Sequence, residues 1–337
     1  LPVLQQSALS SPPTNAFGLY QYLAQRIPGY DPSEYLRELN SAYIHVWEEV
    51  VKLKINYFTN LKTVTVATAQ FEYDLMFNAD NGLSSPVSPR IYQITRVRIQ
   101  APGGGMMQMT RMVNPNEPDF IALAANPNAT PQTVGPYLCY PTGRNNLRFA
   151  LPLAVGSTIE VTYTFWPIAL VSTNTGTISS SGTTVTGSGT FFTQLLQPDF
   201  QSSLPSVSGQ EEIMAELVYS ANNASANSQI NRVKTITSDT VLTTANAISP
   251  ALAASSQYVL ATLPEIPREH IRVIAAIALR NMYSVAGDDT RVAEWTALAA
   301  SNLQMMKDSL QERQGQNPPT KKRFAFGVGR LRNSFRY

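Results

Sequence analysis

The chain of 337 residues has little of what catalysis draws on. Cys139 is its single cysteine, so no disulfide can close within the chain, and nothing points to a disulfide-stapled secreted scaffold. It stands in Tyr137-Leu138-Cys139-Tyr140, a stretch that reads as a buried strand, where packing suits a cysteine better than nucleophilic chemistry. The two histidines, His45 and His270, fall on separate expected helices far apart in sequence. His45 has Glu48 and Glu49 three and four positions on, which suits a surface ion-pair network. No further ligands follow at the spacing of a zinc or iron site. His270 sits in the first turn after Pro267 and reads as packing or capping.

Charge is also scarce. Only 14% of residues are charged, against about a quarter in an ordinary globular domain. Ser, Thr, Asn and Gln take their place, as is common in β-rich proteins and in subunits that bury their flanks against copies of themselves. The net charge of +2 excludes a chain-wide nucleic-acid surface. No apolar run approaches the roughly 18 residues that cross a bilayer, so no membrane partner is expected. Leu1 to Asn15 lacks the basic region and apolar core of a signal peptide, and the expectation is a soluble protein made in a reducing compartment.

The acidic side chains come as neighbours: Glu48-Glu49, Glu211-Glu212 and Asp288-Asp289. Adjacent residues do not face each other on a helix and point to opposite faces of a strand, so these are poor acid/base pairs. Gly103-Gly104-Gly105 and Gly187-Ser188-Gly189-Thr190 lack the lysine and the following helix of a phosphate loop. No nucleophile elbow is present. The expectation is a protein that is not an enzyme and takes no cofactor or metal.

What the chain does have is concentrated at its C-terminal end. Pro267 suits a first helical turn, and Ile271, Ile274, Ala278 and Met282 then recur on one helical face. Gly287 stops that helix, and Asp288 or Asp289 can cap the next. Val292, Trp295, Ala299, Leu303, Met306 and Leu310 form the second stripe, which makes a helical hairpin in need of a third partner. Asp31-Pro32-Ser33-Glu34 starts that partner helix, with Tyr35, Leu39, Tyr43, Val46, Val50 and Leu53 as its apolar face. The packing residues of this helical layer are therefore Tyr35, Leu39, Tyr43, Val46, Ile274, Ala278, Trp295 and Leu303. Residues 1–30, rich in Pro, Ser and Gln, read as an extended arm.

Between the helices the period turns to two. Val64 and Val66, then Phe71, Tyr73 and Leu75, alternate with polar residues, and Ile91, Ile94, Val97 and Ile99 mark a third strand. Pro102 to Gly105 is a turn and Met106 to Val113 a returning strand, while Asn114 to Ala125 has room for one short helix. Tyr137 to Tyr140, Leu147 to Ala150 and Thr158 to Trp166 supply three more strands. From 172 to 262, glycine-punctuated β-branched alternation with Phe191, Phe192, Phe200 and Tyr219 reads as a small barrel or sandwich rather than disorder. The fold class is α+β: a helical layer from both ends of the chain, an antiparallel sheet domain, and an inserted all-β domain. The divisions are 1–30 for the arm, 31–171 with 263–316 for the core, 172–262 for the insert, and 317–337 for a tail.

That tail changes composition. Lys321, Lys322, Arg323, Arg330, Arg332 and Arg336 are spaced by Phe324, Phe326, Phe335 and Tyr337, with no acidic side chain among them. Solvated ends are seldom so aromatic. The pattern suits stacking on nucleic acid or docking into a protein groove, and the phenylalanines as pocket anchors favour protein.

The order of parts resembles the head–tail connector (adaptor) proteins of tailed double-stranded DNA bacteriophages. The likeness runs over residues 31–168 and 264–314. It is carried by the helix start Glu34-Tyr35-Leu36-Arg37-Glu38-Leu39-Asn40-Ser41-Ala42-Tyr43 and by Phe71-Glu72-Tyr73-Asp74-Leu75. Tyr137-Leu138, Asn146-Leu147-Arg148-Phe149, the Gly287-Asp288-Asp289 turn and Trp295 complete it. The resemblance implies a twelve-membered homo-oligomeric ring under the portal protein, at the head–tail junction of a virion assembled in the host cytoplasm. The packaged double-stranded DNA would pass through its channel, and its far side would receive a downstream tail or nozzle protein, and tail fibres. The tail from Lys321 to Tyr337 occupies the place of the segment that reaches into the portal. The shortest adaptors have only a turn where this chain has residues 172–262; an extra contact to neighbouring adaptors, fibres or tail proteins is the expectation there. The rival reading is a carbohydrate-recognising tail or fibre protein that uses the Ser/Thr-rich β domain.

Overall fold

A computed structural model describes residues 15–53, 56–75, 91–126, 130–143, 146–167, 169–195, 215–220 and 228–313. By its contacts the chain divides into a larger unit, Leu1–Leu36 with Phe58–Glu265, and a smaller one, Arg37–Tyr57 with Ile266–Tyr337.

The larger unit opens on helix α1, Ala16–Arg26. The expectation of an extended arm is corrected for its described part, from Asn15 on, while residues 1–14 lie outside the described residues. Asn15 is extended and caps the helix, its side-chain oxygen accepting from the Gly18 amide at 2.9 Å. Ala16, Leu19 and Leu23 recur at helical spacing and are wholly buried. Burying the two leucines contributes about 2 kcal/mol each, enough to hold a helix of eleven residues that would not persist alone. Helix α2, Pro32–Lys52, starts at the Asp31 turn, where the Glu34 carboxylate accepts from the Asp31 amide at 3.0 Å. Its first turn belongs to the larger unit and the rest to the smaller.

Strands β1 (Thr59–Thr65), β2 (Glu72–Asp74), β3 (Ile91–Gln100), β4 (Gln108–Met109) and β5 (Arg111–Met112) follow, then helix α3 (Pro118–Ala124). Strands β6 (Leu138–Thr142), β7 (Asn146–Phe149) and β8 (Thr158–Phe165) complete two four-stranded sheets, in the orders β1-β8-β3-β4 and β2-β7-β6-β5. All neighbours are antiparallel except β5 and β6. The sheets share one core: Val97, Ile99, Ile159 and Val161 from the first, Tyr73, Cys139, Leu147 and Phe149 from the second. The expected returning strand from Met106 to Val113 is in fact two short strands in different sheets. Thr110 donates its amide to Val97 of β3 at 3.0 Å, and Arg111 donates to Tyr137, just before β6, at 2.9 Å. One residue thus passes the chain from one sheet to the other.

Residues 172–262 carry β9 (Ser172–Thr173), β10 (Thr177–Ser181), β11 (Thr184–Ser188), β12 (Ala215–Ser220), β13 (Ser228–Ser238), β14 (Val241–Thr244) and β15 (Tyr258–Thr262). Their order is β10-β11-β14-β13-β12-β15-β9. The two edge strands follow each other in the chain, and Ile178 and Ser256 exchange both backbone hydrogen bonds, so the sheet closes on itself as a barrel. Ile178, Val185, Phe192, Leu217, Val233, Leu242, Tyr258 and Leu260 fill it. Gly176 marks the bend between β9 and β10 at φ +87°, and a Cβ there would lie 2.6 Å from the Gly189 backbone. Only glycine fits that bend.

In the smaller unit, a 3₁₀ turn at Arg268–His270 leads into α4, Arg272–Ala286. Gly287 caps α4 in the left-handed conformation, at φ +75°. Asp288 then caps α5, Asp289–Arg313, by accepting from the Arg291 amide at 3.1 Å. Arg291 also reaches back to the Tyr283 hydroxyl at 3.3 Å and lies over its ring, bracing the turn. The helical hairpin read from the sequence is present, with α4 packed against α5.

Candidate assembly surface

The expected Ile271, just before α4, and Ile274, Ala278 and Met282 within it are buried, and so are Val273, Ala275, Ala276, Ile277 and Leu279. A helix apolar nearly all round is one covered on several sides. From α2, Leu39, Tyr43, Val46 and Val50 are buried as read, joined by Ala42 and Trp47, which the stripe had omitted. Tyr35 is buried too, but its partners lie in the larger unit: the rings of Tyr20 and Tyr30, and the Ile27 carbonyl, which accepts from its hydroxyl at 2.6 Å.

Helix α5 is less well covered. Ala299, Met306 and Leu310 are buried, whereas Val292, Trp295 and Leu303 of the same stripe are only half-buried. The stripe direction read from the sequence holds, and coverage improves toward the C-terminal half. There Lys307 donates to Glu49 of α2 at 2.6 Å, and Lys52 donates to the other oxygen of the same carboxylate at 2.5 Å. The hydrogen bonds from these two ammonium groups hold the Glu49 carboxyl down at about 2. His45 is exposed one turn before Glu49 on α2, and the ion pairs of the Glu49 carboxylate are with the two lysines.

Outside this packed face lie apolar residues that sequence reasoning did not single out. Ile44 of α2 is 43% exposed, and Leu298 and Met305 of α5 are 43% and 56% exposed. Leu298 and Met305 stand seven residues apart, two helical turns, and so share one face. That spacing was the available signal; the stronger buried stripe beside it masked it.

Every residue assigned to the docking tail, Lys321, Lys322, Arg323, Phe324, Phe326, Arg330, Arg332, Phe335, Arg336 and Tyr337, lies outside the described residues. The last described helix, α5, leads directly toward that segment in sequence.

Cys139 is wholly buried and burial pushes its thiol up to about 12, which leaves it inert. Glu48 faces out while Glu49 faces the lysines, so the adjacent pair does not act together. Glu211 and Glu212 lie outside the described residues. Among the described residues no three of His, Cys, Asp and Glu come together as a metal site would require. No described helix is long and apolar enough to cross a membrane. A buried carboxylate that the sequence did not reveal, Glu216 of β12, accepts from the Asn15 side-chain amide at 2.7 Å. No protein-family profile matches the chain, and no curated protein matches it.

Proposed function

We propose that the chain is a virion structural protein of a tailed bacteriophage, a head-to-tail adaptor that forms a ring beneath the portal protein. In this reading the ring extends the DNA channel and offers a platform to the tail. The observation that carries it is the helical unit: α2, from near the start of the chain, joins the α4–α5 hairpin from near its end. Apolar side chains remain uncovered on the outer faces of both α2 and α5. A subunit that finishes its surface against copies of itself has that form.

The tail supplies the second contact. Its phenylalanines fill pockets of the portal while its arginines meet acidic groups there. Each single contact is weak. Tethering many copies in one ring raises the effective concentration of every tail, so the ring holds where one chain would not.

Electron microscopy of the purified protein mixed with candidate portal rings tests this, alongside the protein truncated after Asn317. A closed ring stacked on the portal, with stacking lost on truncation, is the expected result. A protein that ignores portals, or assembles as a trimer, would sink the reading and favour the glycan-binding rival.

A further inference from the structure

We propose that in the assembled protein the outer face of α2 in one copy seats against the outer face of α5 in the next, antiparallel, with Ile44 opposite Met305. The contact rests on the ring reading above and specifies which surfaces make it. Opposite its buried face, α2 presents Arg37, Ser41, Ile44, Glu48 and Lys52, all exposed, with half-buried Val51 on the edge beside Ile44. Helix α5 presents Glu294, Leu298, Ser301, Met305, Asp308 and Glu312, also exposed. The first strip ends in a cation at each end. The second has acidic groups at both ends and its two apolar residues between them.

Residue spacing sets the register. With Ile44 opposite Met305, a step of seven residues in opposite directions brings Val51 opposite Leu298 and Arg37 opposite Glu312. A step of three brings Ser41 opposite Asp308, which places Arg37 between two carboxylates one turn apart. At the other end Lys52, bonded to Glu49 of its own helix, stands opposite Ala297, one turn from Glu294. The parallel alternative that also joins the apolar residues, Ile44 to Leu298 and Val51 to Met305, sets Arg37 against Arg291 and is disfavoured by that repulsion. Complementary charge therefore selects a second copy as occupant and fixes its direction. Because the two faces differ, the contact is heterologous: each copy keeps one free α2 face and one free α5 face, so the assembly propagates until it closes.

The test compares assembly of the full chain with that of Arg37→Glu, Met305→Glu, and Arg37→Glu combined with Asp308→Lys and Glu312→Arg, by sedimentation velocity over a concentration series. Each charge-introducing single change is expected to raise the concentration for half-assembly by on the order of tenfold or more, and the charge-reversed combination to recover most of that. In parallel, Ser41→Cys with Asp308→Cys should give oxidised ladders on denaturing gels, whereas Ser41→Cys with Glu294→Cys should not. Circular dichroism separates lost assembly from lost folding. If the unmodified chain assembles and both single changes assemble equally well, the proposed contact is wrong while the ring reading stands. A chain that stays monomeric at every concentration, alone and with portal, overturns both.

Discussion

Lys307 and Glu49, 258 residues apart in sequence, meet at 2.6 Å, and this pair joins a helix from near the start of the chain to the last described one. Both side chains are about four-fifths covered, at 20% and 19% exposure, so water screens the pair less than it would at an open surface.

The pair makes the helical unit acid-sensitive. Glu49 is held near 2, below its ordinary 4.5, so its contribution to stability is complete above about 4.5. It fades as pH falls from there through about 2, where the folded-state carboxylate takes up its proton. Glu49→Gln should cost about 1 kcal/mol at neutral pH, seen as a melting point a few degrees lower. The gap between the two proteins should narrow as pH falls through that window. A gap that stays constant from pH 7 to pH 2 would remove the ion pairs from the account.

Asn15 serves two partners, and the two roles can be separated. Its oxygen caps α1 and its amide donates to the buried Glu216. Asn15→Ala should cost about 2 kcal/mol in urea unfolding, from the lost cap and the lost charge-assisted hydrogen bond together. Asn15→Asp keeps a capping oxygen but sets a second carboxylate against Glu216. It should be at least as destabilising as alanine at neutral pH. Equal behaviour of Asp and Asn at neutral pH would show that the contact with Glu216 contributes nothing.

Two barrel glycines with positive φ make a matched comparison. Gly182→Ala, in the β10–β11 turn with open space around the new Cβ, should cost about 1 kcal/mol of backbone strain. Gly176→Ala adds a collision with the Ser188 and Gly189 backbone and should cost about 3 kcal/mol or more. Thermal melts read both. Similar losses at the two sites would argue against the tight closure at Gly176.

Cys139 should behave as a reporter of global opening. With the thiol fully covered and pushed up to about 12, an aromatic disulfide reagent should leave it unmodified in the native protein. The thiol should react stoichiometrically once urea unfolds the sheets. Fast native labelling would mean that the two sheets open locally.

The helices and the alternation of the strands were legible because their signals are local. The Asp31-Pro32-Ser33-Glu34 start, the Gly287 stop and the Asp288 cap each act within one turn, and each stands where the sequence put it. Helix α1 was hidden because Pro and Ser before Asn15 dominate the composition, and its stability comes from burying Ala16, Leu19 and Leu23 against residues far away. The passage between sheets at Thr110 was equally invisible: an alternating pattern reads the same whether the partners of successive residues lie in one sheet or two. On α5 the stripe gave the inward direction, but the exposure of Trp295 and Leu303 depends on how far the neighbouring elements extend. The docking tail rests on composition alone, since its residues lie outside those described.

The barrel's two connections to the rest of the chain run side by side. Thr262 donates its amide to the Val171 carbonyl at 2.9 Å, and Val171 donates to the Thr262 hydroxyl at 2.8 Å, so the strand that leads in and the strand that leads out meet at their outer ends. The chain could therefore be joined across the barrel at two neighbouring backbone positions with no rethreading of either four-stranded sheet, and α1, whose cap Asn15 bonds Glu216 of β12, is the element that would lose a partner. The same junction is a natural socket for a foreign domain whose own termini lie close together. A genome could gain, lose or swap such a module by a single recombination and leave the reading of everything on either side unchanged.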